Sequence, residues 1–282
     1  MQRVHDIDDL QQTLTRARLE RKRIALVPTM GNLHQGHLDL VKAARDEADL
    51  VVTSIFVNPL QFGPSEDFDR YPRTLDSDCL KLMEAGCDVV FAPSVDALYP
   101  NGQSGLTTVH VPGVSEGLCG ARRPGHFDGV ATVVSLLFHI VGPDVACFGE
   151  KDFQQLAVIR KMVHDLHLPI VIKGVPIARE PDGLALSSRN QYLTPEQREK
   201  APQLADTLKA IKERLENGRP TSETITWGLQ QLTELGFRPD YLELRDAATL
   251  SPLSETTRSA IVLAAAHLGE TRLLDNLYVR LS

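Results

Sequence analysis

The sequence predicts an α/β fold: a parallel sheet flanked by helices, followed by a smaller α+β domain beyond about residue 180. Three observations carry this. Residues 24–48, IALVPTMGNLHQGHLDLVKAARDEA, read as strand, loop and helix, the first half of a βαβ unit. The next stretch, LVVTSIFV over Leu50–Val57, is rich in β-branched residues and stops at Asn58-Pro59, as a buried strand does. One helix joins the two strands, so they should run parallel with a right-handed crossover. Towards the C-terminus, helical stretches give way to clustered strands, the grammar of an α+β unit.

In chain order, Asp6–Arg21 has Ile7, Leu10, Leu14 and Ala17 on one helical face. Ile24–Val27 is a short strand closed by Pro28, and a loop with two glycines and two histidines leads into a helix from His37 to Ala48. After the Leu50–Val57 strand, Asn58–Pro72 is turn-rich, Thr74–Ala85 helical, Asp88–Ala92 a strand, Pro93–Gly105 a loop and Thr107–Val111 a strand. Gly113–Gly125 is glycine-rich and holds two adjacent arginines, the composition of a mobile lid. Gly129–Val141 is apolar nearly all round, a buried helix. Asp144–Phe148 is a strand that ends in Gly149-Glu150-Lys151-Asp152, with a helix running on to His164, so the opening pattern repeats. Ile170–Ile177 is a strand interrupted near Gly174, and Glu180–Gly183 a turn. Thr194-Pro195-Glu196 starts a helix that runs to Asn217-Gly218. A helix over Thr221–Leu235 and strands over Pro239–Arg245, Ala260–Ala266 and Arg272–Leu281 complete the chain.

The chain has 282 residues, 42% hydrophobic and 24% charged, ordinary for a globular protein of one large domain or two smaller ones. A net charge of −7 and a pI near 5.7 argue against nucleic acid as the main partner, because phosphate-backbone binding needs a basic face. No apolar run approaches the roughly 18 residues of a membrane span, and the N-terminal stretch lacks the apolar core of a secretion signal. Cys79, Cys87, Cys119 and Cys147 are far apart and form no C-x-x-C, so buried reduced thiols are expected rather than a zinc or disulfide framework. A cytoplasmic protein without a membrane partner is the reading.

The chemistry concentrates in the histidine loop. Gly31, His34, Gly36 and His37 fall between a strand's carboxyl end and a helix N-terminus, where open parallel sheets bind ligands and unpaired N–H groups favour anions. Gly31–Gly36 has P-loop spacing, but His37 and Leu38 stand where that design needs Lys and Ser/Thr. No G-x-G-x-x-G occurs either. What remains is a phosphate-facing loop with two imidazoles able to donate to developing charge. Lys151 opposes the helix dipole at its position, a conflict that a bound phosphate would offset. Asp152 reads equally as a helix cap, Asn58 as a strand-end turn residue, and Arg123 and His126 as part of the glycine-rich segment.

VPTMGNLHQGH, SIFVNPLQF, RPGHFDGVATVV, FGEKDFQQL and LALSSRN, in that order between about residues 24 and 193, resemble the pantothenate synthetase family. His34–His37 resembles its HxGH motif. Ser187-Ser188-Arg189 resembles its version of the second signature of the nucleotidylyltransferase superfamily, which also includes class I aminoacyl-tRNA synthetases. The C-terminal third follows the family's layout with less specific sequence. The resemblance implies a Rossmann-like domain with helices on both faces over residues 1–180, a smaller domain over 181–282 covering the site, and a homodimer. It implies ATP-dependent joining of (R)-pantoate to β-alanine through a pantoyl-adenylate, releasing AMP and pyrophosphate. ATP would lie on Met30, Gly31, Asn32, Leu33, His34, Gln35, Gly36 and His37, on Gly149, Glu150, Lys151 and Asp152, on Ala178, and on Leu186, Ser187, Ser188 and Arg189. His37 would donate a proton, with His34 beside it. Gln61 would meet pantoate and then β-alanine, and Gln155 pantoate, with Gln154 pointing elsewhere because adjacent helical residues do not share a face. Asn58, Arg123 and His126 are further candidates. Mg²⁺ is implied by ATP rather than by a ligand cluster, with Asp76, Asp78 and Asp152 as candidate carboxylates. Two other readings stand beside this one. One is a nucleotidylyltransferase moving AMP onto a phosphate acceptor, disfavoured by the paired glutamines. The other is a nucleotide-binding regulatory module, which has no need of leaving-group donors.

Overall fold

The structure, a computed structural model, describes residues 1–64 and 66–281. Six parallel strands form the main sheet: β1 (Gln2–Val4), β2 (Ile24–Thr29), β3 (Leu50–Ile55), β4 (Val89–Phe91), β5 (Val145–Gly149) and β6 (Val171–Val175), in the order β1-β4-β3-β2-β5-β6. Side chains alternate between faces with the strand period of two. Ile24, Leu26, Val52, Phe91 and Phe148 face a core shared with α1 (Ile7–Leu19), α6 (His126–Val141) and α7 (Phe153–Asp165). Ala25, Val27, Val51, Val90 and Cys147 face the opposite core, closed by α2 (Gln35–Arg45) and α3 (Leu75–Glu84). The near-continuous apolar runs of the sequence are thus a sheet covered on both faces. Burial pushes the Cys147 thiol up to about 11, as expected of an inert packed cysteine.

The order reverses between β2 and β5. From β2 the chain winds outward through β3 to β4, and from β5 outward to β6. β2 pairs with β5 only at Ala25–Val145 and Leu26–Ala146, after which the two strands part. On its other edge β2 stays paired with β3 as far as Thr29–Ile55. The strand therefore continues through Pro28, beyond the expected end at Val27. Pro28 lies past the last β5 pair, where a missing N–H leaves no ladder bond broken.

The second sheet, β7 (Arg238–Asp246), β8 (Ser259–Leu268) and β9 (Thr271–Arg280), is antiparallel and packs against α9 (Gln203–Glu216) and α10 (Thr221–Glu234). The single helix expected from Thr194 is two: α8 (Pro195–Lys200) ends before Pro202, and α9 follows. A short α4 (Val95–Leu98), inside the stretch expected to be a loop, and the edge strand β1 are four and three residues long, too short to show a period in the sequence.

Two further expectations fail. Thr107–Val111 is not a strand: the Val109 amide donates to Thr132 Oγ1 on α6 at 2.9 Å, a bond that a neighbouring strand would otherwise have taken. Gly113–Gly125 is not a loose lid. It contains α5 (Leu118–Arg122), buries Leu118 and Cys119, and is tied to α7 by the buried Gln154. Gln154 Nε2 donates to the carbonyls of Val114 (3.1 Å), Glu116 (3.2 Å) and Gly117 (3.3 Å), and Oε1 accepts from the Cys119 amide (3.0 Å). Gly120 serves close approach, since a Cβ there would stand 1.8 Å from the Ser115 carbonyl oxygen, while Gly113, Gly117 and Gly125 supply the positive φ of turns (+81°, +65° and +78°).

Candidate active site

The parting of β2 and β5 opens a cleft of about 1030 Å³. The histidine loop enters it from β2 and the Gly149–Asp152 turn from β5, so both glycine-led turns meet at the reversal of strand order.

The histidine loop is held from behind. Asp78, fully buried on α3, accepts from the amides of Asn32 (2.9 Å) and Leu33 (2.8 Å) and from Thr74 Oγ1 (3.0 Å). Lys81 Nζ donates to the Leu33 carbonyl at 2.7 Å. Gly31 has φ +85°, and a Cβ there would press on Asp78 Oδ2 at 3.2 Å. Asn32 follows at φ 51°, a left-handed conformation that Asn tolerates well.

The histidines cap α2 themselves, in place of the usual Ser, Thr or Asp. His34 Nδ1 accepts from the Gly36 amide and His37 Nδ1 from the His34 amide, each at 3.2 Å. Both δ nitrogens are acceptors, so both neutral rings carry their proton on Nε2. Burial, reinforced by Lys151, lowers His34 to about 4. Burial, reinforced by His34, lowers His37 to about 3, with the ring centroids 4.1 Å apart. At neutral pH the pair presents two N–H donors and no charge.

A pH dependence follows. The unfolded histidines bind protons from about pH 6.5 downward while the folded ones stay neutral, so stability falls as pH drops through that window towards 4 and 3. Thermal melts from pH 8 to pH 5 should show a falling Tm, less steep in His37→Asn. A flat or rising profile would contradict the tautomer assignment.

Facing the pair, Lys151 lines the cleft and lies 3.9 Å from Asp152. Asp152 stands at the N-cap position of α7 without a side-chain capping bond, so its carboxylate is left to the cleft. Burial raises its pKa, but Lys151 and Arg189 outweigh that and hold it below the ordinary carboxylate value. Ser187, Ser188 and Arg189 line the same cleft from a separate segment of the chain. Arg189 is engaged by Asp67 through Nε (3.2 Å) and Nη2 (2.9 Å). Arg123 is likewise gripped by Glu66, with 2.6 Å from Nε to Oε1 and from Nη2 to Oε2. Two arginines suited to phosphate thus hold carboxylates, a pairing that the motif residues alone do not reveal.

Gln61 closes the deep end. Its Oε1 accepts from Asn58 Nδ2 (3.1 Å), and its Nε2 donates to Met30 Sδ (3.0 Å). Asn58 is 1% exposed and lies behind Gln61, donating to the Gly129 carbonyl (3.0 Å) and accepting from the Tyr99 hydroxyl (2.8 Å). His126 takes the opposite tautomer from the pair: Nε2 accepts from Arg123 (3.0 Å) and Nδ1 donates to the Gln61 carbonyl (2.8 Å). Burial and Arg123 lower it to about 4. At Gly129 a Cβ would stand 2.3 Å from the Leu60 carbonyl oxygen. Gly129→Ala should therefore displace the Pro59–Gln61 turn and destabilise the protein by about 1–3 kcal/mol, the scale of overpacking, read as a lower Tm; an unchanged melting curve would show that the turn adapts.

Among the sequence candidates, Met30, His34, Gly36, His37, Gln61, Arg123, His126, Gly149, Lys151, Asp152, Gln155, Ala178, Leu186, Ser187, Ser188 and Arg189 line the cleft. Gly31 and Asn32 shape the loop from behind. The Leu33 side chain is buried in the core, Gln35 pairs with Asp39 on the outside, and Glu150 lies against β6. Gln154 and Gln155 point apart, Gln154 into the α5 segment and Gln155 into the cleft. Of the carboxylates considered for a metal, Asp78 is committed to the loop and Asp76 pairs with Arg3 at the surface; Asp152 alone of the three lines the cleft.

Residues 2–278 match the family model described as pantoate-beta-alanine ligase. A pantothenate synthetase of Chromohalobacter salexigens is 60% identical over 276 residues, 98% of each chain. The crystal structure of pantothenate synthetase from Thermus thermophilus superposes with a TM-score of 0.91 at 49% identity, covering 98% of this chain and 99% of that one. A pantoate-beta-alanine ligase from Francisella tularensis, solved in complex with beta-gamma ATP and beta-alanine, gives a TM-score of 0.82 at 32% identity, covering 98% of this chain and 97% of that one.

Proposed function

The chain belongs to the pantoate-beta-alanine ligase family, and from that premise we propose how its cleft joins (R)-pantoate to β-alanine at the expense of ATP, through a pantoyl-adenylate and with release of AMP and pyrophosphate. The observation that carries the residue assignment is convergence. The histidine pair, Lys151, Ser187–Arg189 and the glutamines Gln61 and Gln155 come from separate segments of the chain and line one cleft.

A carboxylate is a poor acyl donor because its leaving group would be oxide. In the first step a pantoate carboxylate oxygen attacks the α-phosphorus of ATP. The bond from that phosphorus to the bridging oxygen breaks, and pyrophosphate leaves with the electron pair. His34 and His37 stabilise the charge on the phosphates by donating Nε2–H. In the ligand-free protein His37 is neutral, so its proton-donor role takes the form of hydrogen-bond donation. Lys151 and Arg189 bind the departing phosphates, and phosphate replaces Asp67 on Arg189. Gln61 and Gln155 orient pantoate. In the second step the free amine of β-alanine attacks the acyl carbon, the bond to AMP breaks with its electron pair leaving on the phosphate oxygen, and the nitrogen gives up a proton to that phosphate or to water.

Among the described residues no group of three His, Cys, Asp or Glu is arranged to hold a metal; Mg²⁺ would arrive on the nucleotide, and of Asp76, Asp78 and Asp152 it is Asp152 that would meet it in the cleft. There it would neutralise phosphate charge. No described helix is long and apolar enough to cross a membrane. We place the activity in the cytoplasm, on a homodimer whose mass light scattering would verify; residues 1–180 carry the cleft's floor and residues 181–282 its cover.

The test is component omission. With ATP, Mg²⁺ and pantoate the protein should release pyrophosphate, and AMP should accumulate with pantothenate only when β-alanine is added. Formation of ADP would overturn the mechanism. AMP transfer to a phosphate acceptor without pantoate would favour the nucleotidylyltransferase reading.

A further inference from the structure

Two adjacent residues of β9, Asp275 and Asn276, are 3% and 4% exposed, and neither lines the cleft. Successive strand side chains leave on opposite sides, so these two reach different neighbours. Asn276 Nδ2 donates to the carbonyls of Glu150 (2.9 Å) and Lys151 (3.1 Å), using both amide hydrogens on the turn that presents Lys151 and Asp152. Asp275 grips Arg179 with two bonds of 2.7 Å, and its Oδ1 also accepts the Asn276 amide at 2.8 Å. Arg179 donates in turn to the Gly183 carbonyl at 3.0 Å and bridges to Ala185. One residue further out, the Leu186 amide bonds the Ala178 carbonyl at 2.9 Å, at the root of Ser187–Arg189.

We propose that Asp275 and Asn276 are positioning residues for the adenylation step: one strand of the C-terminal sheet sets both walls of the nucleotide site. A buried ion pair and a carboxamide spanning two carbonyls contribute little stability beyond what apolar side chains of the same volume would give. They do fix direction and separation, which adenylation needs and packing alone does not supply. A misplacement of about 1 Å at a reacting centre can lower a rate about 100-fold. The proposal rests on the ligase reading. Once formed, the pantoyl-adenylate no longer carries the β- and γ-phosphates that Lys151 and Ser187–Arg189 face, so the second step should be insensitive to these residues.

The two half-reactions separate this from a general structural role. Asn276→Asp keeps the shape but sets a carboxylate against two carbonyl oxygens. It should raise the KM for ATP and lower pantoate-dependent pyrophosphate release by about 10- to 100-fold, the scale of misplacement. Pantothenate formation from chemically prepared pantoyl-adenylate and β-alanine should stay within about twofold. Asn276→Ala, which introduces no repulsion, should show the same split more weakly, and it serves if the Asp variant does not fold. Asp275→Asn should behave like Asn276→Ala. Equal losses in both half-reactions, or variants that match an active wild type in both, would overturn the inference alone. A wild-type protein that releases no pyrophosphate from ATP and pantoate would overturn the function and this inference with it.

Discussion

Replacing His37 with alanine lowers pantoate-dependent pyrophosphate release by roughly 100-fold or more, the usual contribution of one positioned proton or hydrogen-bond donor and about 2.7 kcal/mol of barrier. The ring has two separable tasks. Nδ1 accepts the His34 amide and closes the start of α2, while Nε2–H is left for the ligand. Asparagine offers an acceptor near the Nδ1 position and nothing at Nε2. His37→Asn should therefore lose activity nearly as fully as His37→Ala while retaining more of the wild-type Tm. Melting curves and pyrophosphate assays on the two variants check this together. Activity near wild type in His37→Asn would move the donor role to another residue.

The second large effect lies outside the motif. Asp78→Ala strips acceptors from the buried Leu33 amide, the half-buried Asn32 amide and the Thr74 hydroxyl. Each buried donor left unpaired costs about 1–3 kcal/mol, so a loss on the order of 3 kcal/mol and a Tm lower by roughly 5–10 °C are expected. Without its anchor the Gly31–Leu33 segment no longer fixes the histidines, and the KM for ATP should rise as well. Asp78→Asn, which keeps one acceptor oxygen but opposes an amide with its own N–H, should fall between. An unchanged melting temperature and KM in Asp78→Ala would remove Asp78 from this role.

Features encoded within a few residues were legible in the sequence. The βαβ patterns, the two-sided burial of β2, β3 and β5, and the divergence of Gln154 from Gln155 follow from local periodicity. What depends on long-range contacts was not. The Asp78 carboxylate meets loop amides 46 and 45 positions away, and Asn276 reaches back 126 and 125 positions to the Gly149–Asp152 turn. No local spacing announces such partners. Gly113–Gly125 misled because glycine marks mobility, close approach and positive-φ turns alike, and the bonds from Gln154 that hold the segment come from a residue outside it. Thr107–Val111 has strand-like composition, but Thr132 takes its amide bond. The pairing of Arg123 and Arg189 with Glu66 and Asp67 was equally invisible, since a guanidinium suited to phosphate is equally suited to a carboxylate.

Pro28 sits one residue past Val27 on the edge of β2 that faces the parting from β5. Having no N–H, it cannot donate to a ladder towards β5, so the parting of the two strands is written into the chain at this residue. The open volume is therefore settled during folding rather than at the moment of binding. A binding-competent state that is already the dominant one leaves ligand affinity undiminished by any prior opening equilibrium.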